Sequence, residues 1–148
     1  MRIVIFLPRR REHSGFLHLF DATGRVLIGN LRCRGKADSA RAIKAQNPLR
    51  DPARPYGDTP SGLYAPSVMT RYEPAHPTFG KFAILIEGVE GEALRAKENG
   101  RVGLAIHGGR GDGDLVATYG CVRLLDKDML ALNLALGDSP VVAEVEDI

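Results

Sequence analysis

The chain has 148 residues, of which 44% are hydrophobic and 26% charged, with a formal net charge of +2. This length predicts one domain, residues 1–148, that is large enough to be stable without a disulfide or a metal. The composition excludes a disordered chain, and the balanced charge gives no indication of a nucleic-acid partner. No apolar run reaches the roughly 18 residues of a membrane-spanning helix, which predicts no membrane insertion.

Apolar runs and turn residues predict a mainly β chain with two or three short helices around one core. In chain order, the predicted elements are strands Arg2–Leu7, Phe16–Phe20 and Arg25–Cys33, a helix over Ala40–Gln46 capped by Asp38 or Ser39, strand Lys81–Ile86, a helix over Glu90–Glu98, strand Val102–Ile106, a helix from Asp126 or Lys127 to Leu136, and strand Pro140–Val145. A four-residue turn with a glycine joins the second and third strands as a hairpin. Gly137 is the expected C-cap of the last helix.

Seven of the nine prolines lie between Pro48 and Pro77. Proline removes a backbone donor, so this segment is not expected to form a long helix or a central strand. Long irregular segments in compact domains are usually functional loops or disordered ones. Within it, Gly57–Tyr64 has the pattern of a turn followed by the start of a strand.

The N-terminal residues do not have the pattern of an export signal. Arg9 to Arg11 follow the short apolar run instead of preceding it, and we interpret them as a solvated cluster. The chain has two cysteines, Cys33 and Cys121, which could form one disulfide or remain as free thiols. Cys33 lies in a predicted strand, which favours a structural role.

His107 and Cys121 are the residues most suited to chemistry. His107 ends a predicted strand and precedes two glycines, and Cys121 follows Gly120. A thiol with a pKa of about 8.5 is only slightly ionised at neutral pH, so a neighbouring imidazole would activate it. Glycines beside each residue would let the backbone approach a substrate and direct N–H groups at an oxyanion. The other three histidines are given no role.

The segments Ile106–Gly108 and Thr118–Leu124 carry a resemblance to a known family. They resemble the signature of the L,D-transpeptidase (YkuD-type) catalytic domain, in which His-Gly ends a strand and Ser/Thr-x-Gly-Cys follows a loop. Gly57–Tyr64 looks like the family's Thr-Pro-x-Gly-x-aromatic strand entry. The resemblance covers residues 16–125 and implies a twisted, sandwich- or barrel-like β-sheet fold. Two departures are a shorter loop after His107 and a tyrosine, Tyr119, where the family often has histidine.

The resemblance implies a cysteine acyltransferase that acts on peptidoglycan stem peptides without a cofactor. Such enzymes attack the carbonyl of the third residue of a stem tetrapeptide, form a thioester, and transfer the acyl group to a second stem's amine. The implied roles are Cys121 as the nucleophile, His107 as the base, and the Gly108 carbonyl as the group that orients His107. The backbone N–H groups around Tyr119 to Cys121 would form the oxyanion hole, with Tyr119, Gly120 and Thr118 as oxyanion or substrate-binding residues. Arg123 would position the loop or hold a substrate carboxylate.

Several alternatives remain open at this stage. Water as the acceptor would make the protein an L,D-carboxypeptidase, and a secreted toxin of the same fold would attack a rival's wall. A non-catalytic peptidoglycan-binding module belongs to another class, and the intact pair of His107 and Cys121 argues against it. Because no export signal is visible, we expect the protein either to reach the wall by a signal-independent route or to act in the cytoplasm on recycled wall fragments. Two candidate ligands fall short of a zinc site, and Asp112-Gly113-Asp114 lacks the later ligands of a calcium loop.

Overall fold

A computed structural model describes all residues, 1–148, as ten strands and three helices. The strands are β1 (Arg2–Leu7), β2 (Gly15–Phe20), β3 (Val26–Arg34), β4 (Gly62–Tyr64), β5 (Met69–His76), β6 (Gly80–Leu85), β7 (Gly88–Glu90), β8 (Ala105–His107), β9 (Val122–Leu124) and β10 (Val142–Asp147). The helices are α1 (Ser39–Lys44), α2 (Gly91–Glu98) and α3 (Asp126–Leu136). The prediction of a mainly β fold with two or three short helices is confirmed. None of the helices combines the length and apolarity needed to cross a membrane.

All ten strands belong to one mixed sheet, in the order β5-β6-β8-β9-β3-β2-β1-β10-β4-β7. Two neighbouring pairs, β1 with β10 and β8 with β9, are parallel, and the other pairs are antiparallel. The two ends of the chain therefore meet in the sheet, because β1 and β10 are adjacent. The predicted hairpin is present as β2 and β3.

Most predicted elements agree with the structure within a few residues. The Asp38 side chain caps α1 by accepting the N–H of Arg41 at 2.9 Å, and Gly137 ends α3 with a φ of 55°. The strand predicted over Val102–Ile106 is only partly correct, because β8 begins at Ala105. Three-residue strands β7 and β9 were not predicted, since their few residues are ordered mainly by their neighbours in the sheet.

The proline-rich segment contains one long strand, β5, which the proline pattern did not predict. Its Pro74 is tolerated because β5 lies at the edge of the sheet, where one side of the strand needs no hydrogen-bonded partner. The remaining strand in the segment, β4, has only three residues. The segment therefore contains an edge strand and one short inner strand.

The main hydrophobic cluster contains 24 buried residues from the sheet and the helices that cover it. Helix α3 buries Met129, Leu132 and Leu136, which are spaced to share one face of a helix. Burial of each such side chain stabilises the fold by about 1.5–3 kcal/mol. This helix packs on β6 and β3, the sheet neighbours of β8, which ends at His107, and of β9, which begins just after Cys121.

The interpretation of Arg9 to Arg11 as a solvated cluster is wrong for Arg11, which is only 3% exposed. Its guanidinium donates to the Pro8 carbonyl at 2.6 Å and forms an ion pair with Asp147 at 2.6 Å. The parallel register places Leu7 beside Asp147, and this brings the end of β10 next to the turn after β1. A pairing between the two ends of the chain is not visible in a local sequence pattern.

Candidate active site

Strands β8 and β9 bring His107 and Cys121 to the same part of the sheet. The parallel register pairs Ile106 with Val122 and His107 with Arg123, so Cys121 lies beside Ala105. Alternate residues of a strand share a face, and the side chains of His107 and Cys121 therefore emerge on the same face. Both residues line one cavity of about 710 Å³.

The cavity is lined mainly by polar and positively charged groups. Its charged side chains are four arginines and a single carboxylate: Arg41, Arg101, Arg110, Arg123 and Asp38. Aromatic side chains from three different segments, Tyr56, Phe79 and Tyr119, form part of its walls. This excess of positive charge suits an anionic ligand better than a cationic one.

The imidazole of His107 is almost fully buried and is oriented by the backbone carbonyl of the next residue, Gly108. Its Nδ1 lies 2.7 Å from the Gly108 carbonyl oxygen, which can only accept, so Nδ1 carries the proton and Nε2 is free to accept one. Burial lowers the pKa of His107 to about 4, and this outweighs the opposing effect of the Gly108 carbonyl. His107 is therefore neutral at neutral pH and able to act as a base.

Gly108 and Gly109 are required by packing inside the protein. A Cβ on Gly108 would overlap the Asp126 carboxylate, and one on Gly109, whose φ is +100°, would overlap the Thr78 carbonyl. The Asp126 carboxylate accepts the N–H groups of Gly109 at 2.6 Å and Gly111 at 2.9 Å. These two glycines thus let the loop after His107 contact the start of α3 and the turn between β5 and β6.

Cys121 is a buried free thiol, 6% exposed, that forms no hydrogen bond with His107. Its Sγ instead lies 3.7 Å from the Gly103 carbonyl oxygen. Burial raises the pKa of Cys121, while the Ala105 N–H and the guanidinium groups of Arg101 and Arg123 act in the opposite direction. The resting state is a neutral thiol near a neutral imidazole, and the thiol must turn from Gly103 before the base can accept its proton.

The turn that precedes Cys121 is held by the hydroxyl of Thr118. This hydroxyl accepts a hydrogen bond from the N–H of Gly120 at 2.9 Å and donates one to the carbonyl of Cys121 at 3.0 Å. The N–H groups of Tyr119 and Cys121 have no acceptor within the protein. Of the backbone donors predicted around the nucleophile, these two are free to bind an oxyanion, whereas that of Gly120 is occupied.

Arg123 and Tyr119, which both line the cavity, differ in their exposure. Arg123 is buried, and its guanidinium donates to the carbonyls of Val116 at 2.9 Å and Gly108 at 2.7 Å. It therefore positions the loop between the two strands. Tyr119 is 47% exposed and packs edge-on against Tyr56, with their ring centroids 5.9 Å apart.

Three residues of the site were given no role in the sequence prediction. His76 lines the cavity and stacks on Phe79 with a centroid distance of 4.6 Å, and Phe79 in turn lies 4.7 Å from the ring of His107. Thr59 donates to the Gly120 carbonyl at 2.6 Å, and Arg101 contacts the same turn. Thr59 and His76 lie in the proline-rich segment that the sequence singled out, and Thr59 also belongs to the Gly57–Tyr64 pattern, whereas Arg101 lies in neither.

The other thiol and the possible metal ligands considered from the sequence are not arranged for chemistry. Cys33 is fully buried and unpaired, and burial raises its pKa to about 12. No group of three or more His, Cys, Asp or Glu side chains is arranged to hold a metal. The Asp112 carboxylate accepts the N–H of Lys127 at 2.8 Å, and this contact ties the glycine-rich loop to the first turn of α3.

The fold is similar to those of solved bacterial structures. One is the helical cell shape determining protein Pgp2 from Campylobacter jejuni: its K307A mutant has a TM-score of 0.58 and 18% identity, and a second Pgp2 structure has a TM-score of 0.53 and 17% identity. Another is Bd1075 from Bdellovibrio bacteriovorus, with a TM-score of 0.54 and 14% identity. This chain is covered over 98% to 99% of its length and spans 47% of each of those chains. No protein-family model and no curated protein matches the sequence.

Proposed function

We propose that this protein is a cysteine acyltransferase of the L,D-transpeptidase (YkuD-type) kind that acts on peptidoglycan stem peptides. The observation that carries the proposal is the common cavity of Cys121 and His107, with two unpartnered N–H groups beside the thiol. This set supplies a nucleophile, a base with a free nitrogen, and donors for a tetrahedral oxyanion.

The reaction begins with transfer of the Cys121 proton to Nε2 of His107. The sulfur bonds to the carbonyl carbon of the third stem residue, and the resulting oxyanion accepts the N–H groups of Tyr119 and Cys121. The C–N bond to the terminal D-residue then breaks, and the imidazolium returns its proton to the leaving amine. An amine from a second stem attacks the thioester, loses a proton, and restores the thiol, whereas water in its place gives hydrolysis.

The charge of the cavity supports a peptide with a free carboxylate as the substrate. The exposed Arg41 and Arg110 lie at its rim and bear no ion pair to a carboxylate of the protein. An arginine binds a carboxylate through two parallel hydrogen bonds. The terminal D-residue of a stem tetrapeptide offers such a carboxylate next to the bond that would break.

The likeness to a cell shape determining protein supports a substrate in the wall. Bacterial cell shape is maintained by the peptidoglycan layer, so a protein that determines shape is suited to modify it. The likeness concerns the fold, at 18% identity or less, and therefore supports the class of substrate more than the outcome of the reaction.

Incubation with a purified disaccharide-tetrapeptide, followed by mass spectrometry of the products, tests the proposal. A cross-linked dimer that requires Cys121 is the expected product. A tripeptide alone would indicate an L,D-carboxypeptidase. Binding of unchanged substrate would indicate a non-catalytic module, and neither binding nor product would contradict a role on stem peptides. Cys33→Ala is the matched control, because it removes the other thiol of the chain.

A further inference from the structure

Arg101 is a buried guanidinium, 5% exposed, behind the turn that carries Cys121. It donates to the backbone carbonyls of Pro52 at 2.6 Å, Asp58 at 2.7 Å and Gly57 at 2.5 Å, and to that of Tyr119 at 3.4 Å. These contacts join the proline-rich segment to the turn before the nucleophile. A Cβ on Gly120 would overlap the Nη2 atom of Arg101, so the guanidinium lies directly against this turn.

The positive charge of Arg101 has no carboxylate partner. Asp58 offers only its backbone carbonyl, because its carboxylate pairs with Arg50 at 3.1 Å and accepts the N–H of Ala37 at 2.8 Å. A buried charge is normally paired, because removal of an ion from water is unfavourable. An unpaired cation beside a nucleophile is the arrangement expected when the compensating negative charge forms only during the reaction.

We propose that Arg101 is an electrostatic positioning residue, which holds the Tyr119–Cys121 turn and stabilises the negative charge that forms on the Cys121 sulfur. The inference rests on the proposed function in taking Cys121 as the nucleophile. The four carbonyl contacts fix the guanidinium, so it need not reorganise when the charge forms. The charged and titratable groups around the thiol and this guanidinium are Arg101, Arg123, His107, Tyr64, Asp58 and Glu92.

The pH dependence of Cys121 alkylation by iodoacetamide tests this role without any wall substrate. In Arg101→Gln and Arg101→Met, we expect the apparent pKa of the profile to rise by about one unit, which makes alkylation below the pKa about tenfold slower. Arg101→Lys, which retains the charge, should lie closer to the wild-type profile. The absence of alkylation at the buried Cys33 shows that each variant is folded.

Thr59→Val is the matched control, because it removes the hydrogen bonds that the Thr59 hydroxyl donates to the carbonyls of Gly120 and Cys121 in this turn without a change of charge. A purely structural role predicts that Thr59→Val shifts the profile as much as Arg101→Gln does, and this result would overturn the proposal. An unshifted profile in folded Arg101→Gln would overturn it as well. If the neutral variants do not fold, the double variant Arg41→Gln/Arg110→Gln, which lacks the two exposed arginines of the cavity, should still react faster with iodoacetate than with iodoacetamide, relative to free cysteine. An equal or lower relative rate would then contradict the proposed charge.

Discussion

Replacement of His107 by asparagine should remove a large part of the protein's loss of stability in acid. The pKa of His107 is lowered from an ordinary value of 6.5 to about 4, mainly because the ring is buried. Between these two values, the unfolded chain binds a proton that the folded protein does not, so stability falls as the pH is lowered through this range. At about 1.4 kcal/mol for each pKa unit, the loss approaches about 3 kcal/mol at pH 4 and below.

Urea unfolding at pH 7.5 and at pH 4.5 measures this contribution. The wild-type free energy of unfolding should decrease by about 2–3 kcal/mol more than that of His107→Asn between the two conditions. Asparagine retains an N–H near the position of Nδ1, so the Gly108 contact can persist without a titrating ring. His13→Asn, at an exposed position, is the control and should behave as the wild type. An equal decrease in the wild type and in His107→Asn would refute the reasoning.

Three further predictions concern the nucleophile and its supports. A carbapenem, whose strained β-lactam ring acylates a nucleophilic thiol, should add its mass to Cys121. Cys121→Ala should therefore lack this adduct and Cys33→Ala should retain it, and the reverse result would reassign the nucleophile. Gly120→Ala should destabilise the protein by about 3 kcal/mol or more in thermal or urea unfolding. The residue has a φ of +108°, and a Cβ would overlap the guanidinium of Arg101. A change below about 1 kcal/mol would contradict this packing. Asp126→Ala should lower the free energy of unfolding by about 1–2 kcal/mol, because the hydrogen bonds from the N–H groups of Gly109 and Gly111 are lost, and it should slow acylation. Asp114→Ala should change neither the stability nor the acylation rate.

The sequence predicted those elements of the fold that carry their own local signals. Strand β1 begins and ends at the predicted residues, Arg2 and Leu7, because a proline and charged residues bound its apolar run. Helix α3 ends at its glycine cap as expected. Strand β5 was missed, since proline content cannot distinguish an edge strand from a loop. Short β7 and β9 depend on pairing with distant strands, which leaves no local pattern.

The sequence predicted the residues of the candidate site that belong to its motif, and not those that lie outside it. His107 and Cys121 were expected together, and the parallel pairing of β8 with β9 brings them to one face. The thiol contact with Gly103 was not predictable, since it depends on the rotamer of Cys121 in the folded state. Arg101 gave no signal because its four acceptors are backbone carbonyls, which any sequence supplies and only the fold brings together.

Intact-protein mass spectrometry during reaction with a stem tetrapeptide tests the central claim most directly. The wild-type protein should gain the mass of the donor stem without its terminal D-residue, and proteolysis should locate the thioester on the peptide that contains Cys121. The adduct should be absent from Cys121→Ala and should disappear from the wild type when an acceptor amine is added. A folded wild-type protein that never carries this mass, or an adduct that persists in Cys121→Ala, would contradict the account.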